Sequence, residues 1–191
     1  MMYAKETTQN ILNGVDVDHL GETIGAVKAN PALAHARWRA SNTWVSGAHN
    51  RTSVQRFYAA GAEDESREQP FVFESDEPPV VGGGNQGANA VEIALTALAS
   101  CMTGTLVNYG AMMGIELEEV SAELEGDMNI QGLFGLDETT RRGLQHVSVE
   151  YRIKSPESRE RIAELLGTAQ KFSPVYDIFS NPVPVSVRLA E

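Results

Sequence analysis

The sequence predicts an α+β fold in which antiparallel sheets pack around one long central helix. Three observations carry that prediction. Ala90–Ile115 is a nearly uncharged apolar run, long enough to be a central helix. After it, Val120–Ile130 and Val147–Lys154 alternate apolar and polar residues, as half-buried antiparallel strands do. The pieces follow one another as α-βββ-α-ββ-α-β, without the regular strand–helix alternation of a wound parallel sheet.

Residues 18–29 read as a short helix, with Asp18 as its cap, Leu20, Ile24 and Val27 on one stripe, and Pro31 beyond its end. Ala36, Trp38 and Ala40 alternate with Arg37, Arg39 and Ser41 as a first strand, and a turn follows at Ser46-Gly47. Thr52–Tyr58 is the second strand and Pro70–Phe73 the third, with Glu63–Gln69 a solvated acidic connection. Asp76-Glu77-Pro78-Pro79 and the cluster Gly82-Gly83-Gly84-Asn85-Gln86-Gly87 form a long, flexible loop into the central helix. At about 1.5 Å per residue, Ala90–Met113 would be roughly 36 Å long, more than one small domain needs. Ser155-Pro156 opens a further helix whose inner stripe is Ile162, Leu165, Leu166 and Ala169. A terminal strand carries Val183, Val185, Val187 and Leu189, and no segment repeats another.

The 191 residues carry a formal charge of −11. Such a chain has no basic surplus to displace counterions from nucleic acid or to bind an anionic membrane surface. The apolar run is rich in Ala, Thr, Ser, Gly and Met, contains Glu92 and Asn108, and lacks basic flanks. A helix buried in a protein interior fits it better than a bilayer span. The single cysteine gives no disulfide framework, and MMYAKETTQN lacks the apolar core of a secretory signal. Both features point to the cytoplasm.

Gly82, Gly84 and Gly87 have the G-x-G-x-x-G spacing of a dinucleotide loop. Pro78-Pro79 leaves no room for the preceding strand, and no second strand ends in an acid about twenty residues on, so no cofactor is expected. His19, His35, His49 and His146 are scattered; Asp16-Val17-Asp18-His19 is explained by helix capping, so no metal is expected either. No serine stands in a nucleophile elbow. Cys101 remains. An ordinary thiol is only about 3% thiolate at neutral pH and less when buried, so residue chemistry by itself favours an inert core cysteine. Reactivity would require a nearby cation, most simply an arginine. Glu92 precedes Cys101 by nine positions, a rotation equivalent to about 180° with a rise of roughly 13 Å. The two therefore lie on opposite faces of a straight helix. Glu92 could act on the sulfur only from a second copy or across a helix break; as a helix N-terminal carboxylate it needs neither.

Asp76-Glu77-Pro78, Gly83-Gly84, the run Gly87–Glu92 and the run Ala97–Met102 resemble the OsmC-like family, related to the organic hydroperoxide resistance proteins. The later strands, Phe172-Ser173-Pro174-Val175 and the valine-rich terminus extend the likeness over about residues 36–190. Residues 1–35 then read as an N-terminal extension with a short helix, and 36–191 as the OsmC-like domain. The resemblance implies an intertwined homodimer with two central helices in its middle and thiol-dependent reduction of hydroperoxides at sites shared between subunits. It puts Cys101 at the peroxidatic position, where the thiolate becomes a sulfenic acid. Active members carry a resolving cysteine where this chain has Ser173, and hydroperoxide-reducing members carry a carboxylate where it has Val91; Glu92 matches the neighbouring acid. The activating arginine comes from the first strands, where Arg37, Arg39, Arg51 and Arg56 are candidates and Arg51, at a strand start, is favoured. The expected catalytic set is Cys101, Glu92 and Arg51, with an external thiol as reductant. Val91 and Ser173 leave open a non-catalytic dimer with a ligand-binding or structural role, and thiol-based sensing is a third reading.

Overall fold

The computed structural model describes residues 10–190, so the first nine residues of the expected extension lie outside the described residues. Antiparallel strands and helices come in separate runs along the chain, as in an α+β fold. They divide into two compact units, one built on Asp16–Ala94 and the other on Leu95–Glu191 together with Ile11–Val15.

The described chain begins with a hairpin of β1 (Ile11–Leu12) and β2 (Val15–Asp16). Its turn, Asn13-Gly14, has φ of +53° and +77°, the left-handed pair that Asn-Gly adopts most readily. Helix α1 (Val17–Ala29) is capped by Asp16, not Asp18: the Asp16 carboxylate accepts from His19 N–H at 3.0 Å. None of the α1 side chains is buried, the expected stripe included.

Five strands complete the first unit: β3 (Ser41–Ser46), β4 (His49–Val54), β5 (Phe57–Ala59), β6 (Ala62–Asp64) and β7 (Phe71–Ser75). They form an antiparallel sheet in the order β3-β4-β7 and a separate β5–β6 hairpin. The first strand starts at Ser41 rather than Ala36; before it only Arg37 bridges Tyr58, through bonds of 2.8 and 3.0 Å. The expected second strand is broken at Gln55-Arg56, where the Gln55 amide reaches the carbonyls of Arg67 and Glu68. Part of the acidic connection is itself strand β6. The glycine-rich loop is laid against backbone rather than free: a Cβ on Gly87 would lie 2.3 Å from the Glu74 carbonyl oxygen, and one on Gly83 1.8 Å from that of Glu77. Only glycine allows such an approach.

Helix α2 (Ala90–Met112) ends one residue before the expected Met113. Among the described residues it is the one helix long and apolar enough to cross a membrane by length and composition. Its pattern is two-sided. Leu98, Met102, Leu106 and Gly110 form a buried line at four-residue spacing, while Ser100, Gly104 and Asn108 form an exposed line opposite.

In the second unit, β8 (Glu119–Asp127) pairs with β9 (His146–Lys154) in unbroken register from Glu119↔Lys154 to Asp127↔His146. β8 stops at Asp127, and Ile130 instead opens the short α3 (Ile130–Leu133). Helix α4 (Arg159–Phe172) is capped by Ser158, which accepts from Arg161 N–H, while Ser155 accepts from Glu157 N–H and donates to the Glu116 carbonyl. Then α5 (Pro174–Ser180) follows directly after Ser173. The core is Leu106, Ile115, Leu165 and Ala169, with Val120, Tyr151, Ile153 and Leu166 packed on it. Asn13 is stitched to this unit: its amide donates to the Ile115 carbonyl at 2.8 Å and accepts from Leu117 N–H at 2.9 Å. The terminal strand does not form. Among the described residues Val183–Leu189 pairs with no sheet edge, and Val187 is 92% exposed. Alternation marks a side for burial, but a strand also needs a ladder partner.

Candidate active site

Cys101 is carried by α2, whose start is fixed by a reciprocal capping box. Glu92 N–H donates to the Asn89 side chain at 2.9 Å, and Asn89 N–H donates to the Glu92 carboxylate at 2.8 Å. The helix then runs without interruption past Cys101, which excludes a break between the two residues.

The half-buried sulfur meets the junction of α4 and α5. Pro174 cannot continue the hydrogen bonding of α4, so the chain turns at Ser173 and starts a new helix. Ser173 is 1% exposed. Its Oγ accepts from Tyr176 N–H at 3.3 Å and donates to Cys101 Sγ at 3.2 Å. The ring of Phe172 stacks on Tyr109 of α2 at 5.1 Å, which holds the junction against the central helix. On the β9 side, the Thr103 hydroxyl and Tyr151 phenol are 3.1 Å apart. Burial pushes the Tyr151 phenol up; the Thr103 hydrogen bond opposes this, and the nearby Cys101 thiol adds to it. A cleft of about 250 Å³ is lined by Met102, Val149, Tyr151, Leu166, Gln170 and Tyr176, among others. The Gln170 amide donates to the Tyr176 hydroxyl at 2.6 Å at its rim. Its lining mixes apolar side chains with the phenols of Tyr151 and Tyr176 and the Gln170 amide.

Arg51 belongs to the other unit. It faces Glu74 across β4 and β7, and its Nε donates to the carboxylate at 2.6 Å, with His49 Nε2 on the second oxygen at 2.8 Å. The Arg51 bond first, and His49 second, hold the Glu74 carboxyl below its usual value. The Arg51 side chain is 56% exposed. The other candidates are used similarly: Arg39 makes a two-bond fork on Glu63 at 2.7 Å each, and Arg56 lies 3.5 Å from Glu65. Arg37 contributes its backbone bridge to Tyr58.

Asp76 stands in the family pattern of the sequence, with no role assigned to its side chain there. It is 4% exposed and accepts from the N–H groups of Glu77, Gly84 and Gln86 at 2.8, 3.0 and 3.1 Å. Burial pushes its carboxyl up, but these three donors, helped by His49, outweigh it and leave the group below its usual value. A carboxylate just before a proline and glycine cluster is the signal that could have found it. Tyr151 was legible only as an inward strand position. Among the described residues no group of three or more His, Cys, Asp or Glu side chains is placed to hold a metal.

Comparison with known proteins agrees with this architecture. The family model for OsmC-like proteins matches residues 82–188. No curated protein matches the chain by sequence. Among solved structures, an OsmC-like protein from Mycoplasma pneumoniae superposes with a TM-score of 0.59 at 15% identity, over 76% of this chain and 89% of that one. An organic hydroperoxide resistance protein OsmC from Legionella pneumophila gives 0.52 at 14% identity, over 74% and 89%. An OsmC-like protein of unknown function from Vibrio cholerae gives 0.53 at 11%, over 74% and 92%.

Proposed function

The chain belongs to the OsmC-like family, and from that premise we propose that it is a cytoplasmic homodimer whose Cys101 reduces organic hydroperoxides by a one-cysteine route. The observation that carries this reading is the hydroxyl of Ser173, 3.2 Å from Cys101 Sγ: the sulfur faces a hydrogen-bond donor rather than hydrocarbon. The Cys101 thiolate attacks the outer oxygen of the hydroperoxide. An S–O bond forms, the O–O bond breaks, and the organic fragment leaves as an alcohol after taking up a proton. Two electrons pass from sulfur to oxygen, leaving Cys101 as a sulfenic acid. No second cysteine exists in the chain to close a disulfide. An external dithiol therefore attacks the sulfenic sulfur, releasing water, and its second thiol displaces Cys101 from the mixed disulfide. Glu92 and Arg51 are the proposed activating pair, supplied by a second copy. The uninterrupted α2 supports that assignment for Glu92, and the small exposed line Ser100, Gly104, Asn108 suits close approach of two central helices.

Purified protein is expected to consume an organic hydroperoxide in the presence of a dithiol, and Cys101→Ser to abolish the consumption. Equal rates for the two proteins overturn the reading. A specific observation also favours a non-catalytic alternative, a dimer that binds a ligand or serves a structural role. Every expected arginine with a described side-chain pair already has a carboxylate partner of its own, and Val91 and Ser173 stand where active relatives carry chemistry. For that alternative, wild type and Cys101→Ser are equally inactive.

A further inference from the structure

Resting on that reading, we propose that Ser173 is a positioning residue for Cys101, donating its single hydroxyl hydrogen bond to the sulfur so that Sγ is held in place for attack. A serine hydroxyl has one donor and two acceptor sites. One acceptor site takes the Tyr176 N–H, the bond by which Ser173 caps α5. The proton is thereby turned the other way, and Sγ lies there at 3.2 Å. With Ser173 1% exposed, water does not compete for that proton. The cap and the adjoining Pro174 fix the backbone from which the hydroxyl projects, so the donor is pre-aimed.

Ionisable groups on the surrounding elements act differently. Tyr151 on β9 feels the thiol through space and shares its hydroxyl with Thr103. Lys171, at the end of α4, sits 5.1 Å over the Phe172 ring. On α5, Tyr176 takes the Gln170 amide and Asp177 takes the Asn181 amide. On α2, Glu92 closes the capping box and Tyr109 stacks on Phe172. Among the described residues, Ser173 is the side chain that reaches the sulfur with a hydrogen bond.

The test is the rate at which Cys101 of the full chain is alkylated by iodoacetamide at one neutral pH, in wild type, Ser173→Thr and Ser173→Val. Threonine keeps the hydroxyl, and valine replaces it with a methyl group of the same shape. A purely structural role moves both variants alike. Ser173→Thr is expected within about twofold of wild type and Ser173→Val about tenfold slower, the scale of a lost hydrogen bond to a charged group. Valine as fast as threonine, threonine as slow as valine, or a wild type that reacts only on unfolding each overturns the proposal. If Ser173→Val does not fold, Ser173→Ala takes its place in the same comparison with Ser173→Thr. The readout needs no peroxide. The expected pattern in a protein that consumes no hydroperoxide therefore removes the proposed function alone, and turnover without a difference between variants removes this inference alone.

Discussion

The two units of this chain are held by different forces. In the one built on Asp16–Ala94, the buried side chains among the described residues are Ser75 and Asp76. In the other they are Leu98, Met102, Leu106, Ala111, Ile115, Leu165 and Ala169, with Ser173 the polar exception. The first unit relies on strand ladders, the Arg51–Glu74–His49 and Arg39–Glu63 pairs, and the loop gathered on Asp76. Its large apolar residues stay outside: Trp44 is 71% exposed, and Trp38, Phe71 and Phe73 are exposed as well. A three-stranded sheet without a covering layer has nothing to bury its apolar face against. The second unit supplies its own layers, since α2 and α4 meet the β8–β9 pair around one core. One unit thus encloses an apolar core of its own, while the other leaves large apolar side chains exposed.

Leu106→Ala tests the contrast most severely. A fully buried leucine at the centre of the second unit is expected to cost about 2–5 kcal/mol in denaturant unfolding. A loss below about 1 kcal/mol would mean that this unit, too, is not self-sufficient. Asn13→Ala comes next: two partly buried hydrogen bonds to the chain after α2 are lost, for about 1–3 kcal/mol by the same measurement. A neutral result would make the hairpin a passenger. The smallest effect is a change of slope in the first unit. Asp76 has its carboxyl below the ordinary value, so its stabilising contribution is complete above the unfolded value near 4 and fades as pH falls through the folded one. Wild-type melting temperature should fall as pH drops from about 5 to 3. Asp76→Asn should melt lower at neutral pH and decline less steeply, and parallel curves would show that polar packing on Asp76 does not hold this unit.

Legibility in the sequence followed the same divide. Helix α2 is readable as a nearly uncharged apolar run, and the inward and outward sides of β8 and β9 because burial on one side imprints a period on the residues. The first strands were misplaced because their alternation is not tied to a buried face; Gln55, by bonding to Arg67 and Glu68, interrupts a run that looks continuous. Capping residues were off by two or three positions, since Asp16 and Asp18, or Ser155 and Ser158, differ only in what else their side chains meet. Asn13-Gly14 is a strong short hairpin signal, but it falls in the stretch that reads from the sequence as an N-terminal extension. At the candidate site, Cys101 stands out as the single cysteine, and Ser173 only through the family likeness. Their contact joins positions 72 apart in the chain and could not be derived from spacing.

The glycine-rich loop carries one consequence further. Loops of that spacing bind phosphates by leaving backbone amides pointed at an empty hollow. Here the amides of Gly84 and Gln86 converge on a carboxylate contributed by the same stretch of chain. The hollow comes with its own anion already seated, tethered and at no concentration cost. A spacing familiar from nucleotide recognition has been turned into an internal clasp, closed around a negative charge that cannot diffuse away.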